Sequence, residues 1–327
     1  MKKKIFLTMS FFLISMISFG QDIKIKAIVM GKNKFSKAIK KVYVAEVRVN
    51  YQLLYSQTET ASGGREIGGG YRGDAKVGLT LGVKGLETKD IQEITDKIYE
   101  YYLNKLKEAG YEIISANEAS TAKQYEGFEM KSGGTASEAQ FPGLVSVVPN
   151  NYQYMIRRTT SKGKEKNRFN AYKLSAQLGG ALVTKLNLNV LFVEDAESGF
   201  SKSLSKTVGG VAKIVVRPNL RISSGPNTYG QFYFAEREIK PLASASMELK
   251  KDLEIPGIFE DRKYKAAKSS QSDLWGSSIG TMTIFHVSDS YLSKTIPLEC
   301  DAQKYKDSVE KAAMQYIDAI FTNFNSY

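Results

Sequence analysis

The chain has 327 residues, 42% hydrophobic and 24% charged, with 27 Gly and 7 Pro. That is an ordinary globular composition, which excludes wholesale disorder, collagen and coiled coil. Mean hydropathy of −0.29 excludes a polytopic helical membrane protein. One Cys, Cys300, excludes a disulfide framework within the chain, and one His, His286, excludes multi-histidine metal sites.

The first twenty residues carry the clearest signal. Lys2, Lys3 and Lys4 form a positive start, Ile5 to Ile17 an apolar stretch, and Ser18-Phe19-Gly20 offers small residues for cleavage before Gln21. Residues 1–20 therefore read as a signal peptide, and 21–327 as a single α/β domain. Removing the leader takes three lysines and no acid, so the net charge falls from +12 to +9. A basic exported protein is expected to meet an acidic protein surface or envelope complex, or anionic glycan or lipid head groups, rather than nucleic acid.

From Val42 to Tyr55 the apolar residues fall at 42 and 44, then at 47, 49, 51, 53 and 55, two period-2 runs offset by one. This predicts a long strand with a bulge near Ala45-Glu46. A second strand is expected over Ala75 to Val83. Between them, residues 62–74 are rich in Gly. Gly68, Gly70 and Gly73 match the spacing of a dinucleotide fingerprint, but a strand follows where that fingerprint requires a helix N-terminus. The segment reads as a hairpin tip, with Gly68, Gly69, Gly70, Tyr71 and Arg72 as candidate partner contacts. Thr88 to Ala109 predicts a helix, with Thr88 as N-cap, Ile91, Ile94, Ile98, Tyr102 and Leu106 on one face, and Gly110 as the stop.

Residues 117–142 are polar and read as a surface excursion. The basic excursion 157–168 follows, with Arg157, Arg158, Lys162, Lys164, Lys166 and Arg168 as the leading candidate contacts for an acidic partner. From Leu182 the chain returns to strand, with Leu186, Leu188, Val190 and Phe192 facing one way and Lys185, Asn187 and Asn189 the other. The acids around Asp195 lack the spacing of a calcium loop. Further strands are expected over 211–216, 220–223, 231–235 and 281–287, with Pro218 at an edge or bend. Asp301 to Asn325 predicts an amphipathic helix that buries Tyr305, Val309, Ala313, Tyr316, Ile320 and Phe324.

Catalytic machinery is sparse. His286 lies in an alternating apolar run, no serine sits in G-x-S-x-G, and no cofactor motif is complete. Cys300 precedes a helix N-terminus, a position that favours a thiolate. Trp275 and the 19 tyrosines are the aromatic surfaces available for a sugar.

Two stretches carry a family resemblance. The passage Ile94 to Ile98 through Lys107-Glu108-Ala109-Gly110-Tyr111-Glu112-Ile113-Ile114, and the strand Leu186 to Val193 with Ser203 to Thr207 beyond its turn, resemble the helix-to-strand unit and paired strands of the curli-secretion channel and the N-terminal domain of periplasmic TolB proteins. Val42-Tyr43-Val44-Ala45 is similar to that superfamily's first core strand. The chain departs from the channel member in having no lipid-accepting Cys after its apolar stretch. Spanning strands, if present, would be 145–156 and 174–183, paired around the basic loop.

These readings lead to a mixed-sheet α/β (α+β) fold with long bulged strands, one helix packed after the second strand and a C-terminal amphipathic helix. They imply an exported, non-enzymatic envelope protein that works by binding, beside an outer-membrane or secretion complex. The alternatives are a polysaccharide-binding protein with weak glycosidase activity and a homo-oligomeric outer-membrane pore subunit.

Overall fold

A computed structural model describes residues 23–61, 64–65, 71–72, 75–136, 144–161, 163–193, 214–268 and 295–327. In chain order the fold opens with β1 (Ile25–Met30), β2 (Ile39–Gln52), β3 (Leu54–Ala61) and β4 (Ala75–Lys84). Helix α1 (Thr88–Glu108), β5 (Glu112–Ile114), β6 (Leu144–Val147) and α2 (Ala171–Gln177) follow. The second half holds β7 (Ala181–Leu191), β8 (Leu220–Ile222), β9 (Tyr229–Phe234), β10 (Ala243–Leu249), β11 (Leu253–Ile255) and the terminal helix α3 (Ala302–Phe324). The fold is α+β.

At its centre β2 and β7 run parallel. The free side of β2 carries β5, parallel, and β6, antiparallel. The free side of β7 carries β9 and then β8, both antiparallel, and β10 and β1 extend the sheet beyond β9. Register along β2·β7 slips between Val44 and Glu46, so Ala45 is the extra residue of a bulge. Because strand side chains alternate, one inserted residue keeps Val42 and Val44 on the same face as Val47, Val49 and Tyr51. The offset in the sequence had this cause.

That face carries both long helices. Ile91, Ile94, Ile98, Tyr102 and Leu106 of α1 are buried, as are Tyr305, Val309, Ala313, Tyr316, Ile320 and Phe324 of α3. Hydroxyls tie the helices to the sheet: Tyr51 and Thr95 share a hydrogen bond of 2.9 Å, Tyr102 meets Thr184, and Tyr316 donates to the Met247 carbonyl at 2.7 Å. Between the helices run Lys97–Glu310 at 2.8 Å, Lys306–Glu93 at 2.9 Å and Lys105–Asp318 at 2.9 Å. Helix α1 stops at Gly110, φ +84°, where Tyr111 N–H donates to the Leu106 carbonyl and Gly110 N–H to that of Lys107. Its start differs from expectation by one residue. Glu87 is the cap and donates its N–H to Asp90 Oδ2 at 2.7 Å, while Thr88 is already helical.

The opposite face of the sheet is covered by shorter pieces. Tyr43, Ala45 and Val183 pack there against Ala119, Tyr125 and Leu174. Residues 117–142 are thus no free excursion in their described part, because the helix Ala116–Ser120 and the strand Glu129–Ser132, paired with Gln153–Ile156, hold them to the body. The remaining area of this face is polar yet buried. Asn50 Nδ2 donates to Asn189 Oδ1 at 2.7 Å and Asn187 Oδ1 at 3.1 Å, Ser146 donates to Asn50, and Gln52 Oε1 accepts the N–H groups of Phe192 and Val193 at 2.9 Å.

Two strand expectations need correction. Val42 to Tyr55 is not one strand, because the chain breaks at buried Leu53 and β3 enters a second sheet with β4. Strands 145–156 and 174–183 do not pair around the basic loop. The first stretch divides between β6 and Gln153–Ile156, and the second between α2 and β7. The β3·β4 hairpin keeps one register from Leu54↔Gly82 to Ala61↔Ala75, and Gly64–Arg65 pairs with Tyr71–Arg72. Gly68, Gly69 and Gly70 lie outside the described residues.

Phe321 packs between the rings of Tyr102, at 5.6 Å, and Phe232, at 6.1 Å, joining both helices to the sheet. Phe321→Ala should therefore destabilise the fold by about 3–5 kcal/mol, read as a lower urea midpoint with an unchanged m-value.

Candidate functional site

The basic excursion is a small hairpin. Arg158–Thr159 pairs with Glu165–Lys166, Arg157 N–H donates to the Lys166 carbonyl at 2.7 Å, and Thr160 N–H to that of Lys164 at 2.8 Å. Gly163, φ +74°, makes the turn. One acid occurs between 157 and 168, and it points inward. Glu165 forms a 2.6 Å ion pair with Arg48 of β2, both side chains being 6% exposed. Tyr154 donates its hydroxyl to the same carboxylate at 2.8 Å, and Lys131 reaches it at 3.3 Å. Burial alone would raise the Glu165 carboxyl; Arg48, Tyr154 and Lys131 outweigh it and hold the group below the ordinary carboxylate range.

With its acid turned inward, the hairpin presents cations. Arg157, Arg158, Lys164, Lys166 and Arg168 are all exposed, and none is ion-paired among the described residues. Lys162 lies outside them. Two neighbouring depressions share Arg157 and Arg168. One, of about 500 Å³, is walled by Arg158 and Lys166. The other, of about 540 Å³, is an open groove with Lys185, Phe169, Tyr172 and Tyr233 along its wall. Tyr172 and Tyr233 meet edge to face at 5.3 Å, and Lys185 Nζ lies 4.3 Å over the Phe169 ring. Asn170 accepts the N–H groups of Tyr172 and Lys173, which fixes the start of α2 beside the groove. The arrangement offers a cationic rim and an aromatic wall, suited to carboxylate or sulfate groups on a chain that also stacks.

Sequence reasoning located the rim but missed the wall. Tyr233 and Lys185 lie on β9 and β7, and only the pairing of those strands, with Val183 opposite Tyr233, sets them side by side. The alternation of β9, with Phe232 and Phe234 buried, carried the available signal, since it turns Tyr233 to the other face.

Other candidates fare differently. Cys300 does not gain a thiolate from the helix that follows; burial, with Asp301 and Glu299 nearby, pushes its thiol up to about 11, and Sγ lies 3.4 Å from the Lys84 carbonyl. The second contact set keeps Tyr71 and Arg72 in a strand paired with Gly64–Arg65. His286, Trp275 and the turn at 195–199 lie outside the described residues. Among those described, no cluster of three His, Cys, Asp or Glu side chains is placed to hold a metal. No helix there is long and apolar enough to cross a membrane. No protein-family model, curated protein or solved structure matches this chain.

Removing Arg48 would strand a buried carboxylate, so Arg48→Ala should cost about 3–5 kcal/mol of stability. The sign with pH follows from the depressed Glu165 carboxyl. Its contribution is present above the ordinary value near 4.3 and is lost as pH falls through the lower folded value. The gap in melting temperature between the wild type and Glu165→Gln should hold at neutral pH and close in acid.

Proposed function

We propose that this protein is exported and works by binding rather than catalysis, holding an acidic partner surface in the groove formed by the 157–168 hairpin, α2 and the β7–β9 edge. One observation carries the reading. The only acid of the hairpin is turned inward to anchor it, and Arg157, Arg158, Lys164, Lys166 and Arg168 are left exposed, without counter-ions among the described residues, beside a tyrosine wall. Cations held in fixed positions without partners keep their field for a ligand and speed its capture. The envelope setting, as an accessory or assembly component beside a secretion complex, rests on the leader at 1–20 and on the resemblance to the curli-channel and TolB superfamily.

A second reading, an oligomeric outer-membrane pore subunit, draws on the β3·β4 hairpin. Its register from Leu54↔Gly82 to Ala61↔Ala75 gives about 27 Å of paired strand at ~3.4 Å per residue, matching the ~25 Å apolar band of an outer-membrane barrel. The polar run Ser56 to Thr60 counts against lipid contact along that hairpin.

Charge reversal distinguishes the two. Arg157→Glu with Arg168→Glu should weaken capture of envelope components at least about tenfold, steeply so at low salt, with an unchanged melting curve. Capture equal to wild type would remove the groove from the account. Ring oligomers seen only in detergent extracts of the outer membrane would favour the pore.

A further inference from the structure

A second set of unpaired cations lies at a corner that shares no lining residue with the groove. The turn Lys32–Lys37 and the connection from β9 to β10 meet there. Gly31 permits the meeting. Its φ is +63°, and a Cβ on it would lie 1.9 Å from the Leu242 carbonyl oxygen, so no other residue lets the two backbones approach this closely. Phe35, buried with its ring 5.1 Å from that of Phe324, fixes the 32–37 turn to the core. Lys34 and Lys37, on either side of it, stay exposed and line a cavity of about 260 Å³ together with Arg237 and Lys240. None of these four cations is ion-paired among the described residues. The nearby acids are Glu236, which also lines the cavity, and Glu238.

Arg237 and Lys240 close a tight turn, with Lys240 N–H donating to the Arg237 carbonyl at 3.1 Å. Ile239 stands at its apex and is 92% exposed, against 53% for Ile28 and 46% for Met30. A single protruding isoleucine, with Glu238 and Lys240 as its chain neighbours, does not resemble the flat apolar patch of a protein interface. Peripheral membrane contact, in contrast, needs two weak terms acting together, apolar insertion and attraction to anionic head groups; Ile239 offers the first, and at the corner Lys34, Lys37, Arg237 and Lys240 outnumber Glu236 and Glu238 to offer the second.

We propose that this corner docks on an anionic phospholipid surface, with Lys34, Lys37, Arg237 and Lys240 around a lipid phosphate and Ile239 entering the acyl boundary. The site does not depend on the groove. It gives the protein a membrane-facing corner whether or not an acidic partner is bound.

Vesicle co-sedimentation tests it, using the chain from Gln21, which contains every described residue. Binding is expected to vesicles that mix phosphatidylglycerol with phosphatidylcholine, to fall as salt rises, and to be absent on phosphatidylcholine alone. Ile239→Ser and the pair Lys34→Glu with Lys37→Glu should each lower partitioning about tenfold or more, with unchanged circular dichroism. Arg157→Glu with Arg168→Glu should leave it unaltered, so the corner and the groove can fail separately. Inorganic phosphate provides the second arm. If it binds the corner of wild type and Ile239→Ser equally while vesicles are ignored, the site takes a free anion and the lipid proposal falls. Vesicle binding that persists in Ile239→Ser and in the double lysine variant also overturns it.

Discussion

One extra residue in a parallel strand pair orders this molecule. Ala45 bulges out of β2 against β7, and that step keeps valines on both sides of it aimed at the two long helices. Without it, half of β2 would turn its apolar side chains the other way. Beyond the bulge the opposite face becomes polar, carrying Arg48, Asn50 and Gln52, and each of these holds another element. Asn50 links β2 to β7 and β6, Gln52 caps the end of β7, and Arg48 anchors the basic hairpin. The apolar face builds the core, and the polar face positions the candidate site.

How much was legible in the sequence follows from which forces act locally. The bulge, α1 with its glycine stop, and α3 all show as periodicity or as glycine chemistry within about twenty residues, and they were readable. Edge strands β1 and β11 are short, with one face against neighbours distant in sequence, and they carry no comparable period. The break at Leu53 was hidden because the apolar alternation runs through it; only the competition between two sheets for β2 and β3 decides where the chain divides. For the candidate site, the run of basic residues marked the rim. The inward turn of Glu165 depends on Arg48, 117 positions earlier, and no local pattern encodes such a pairing.

Charge is used in two ways. Between α1 and α3, lysines meet acids across the helix interface, and exposed pairs of this kind contribute little individually. At the 157–168 hairpin and at the 237–240 turn, cations have no such partners among the described residues. The net positive charge is therefore not spread as a uniform solvating coat; part of it is gathered at the 157–168 hairpin and where Lys34 and Lys37 meet the 237–240 turn, each place beside an apolar or aromatic side chain.

The core is closed by the two ends of the chain. Tyr316, near the C-terminus, bonds the carbonyl of Met247 on β10, which pairs with β1 at the start of the fold, and Phe324 packs on Phe35. Helix α3 is one of the two helices on the apolar face, and it covers β1, β8, β10 and β11. Its contacts with β1 and β10 are far apart in sequence, and contacts of such long separation form slowly.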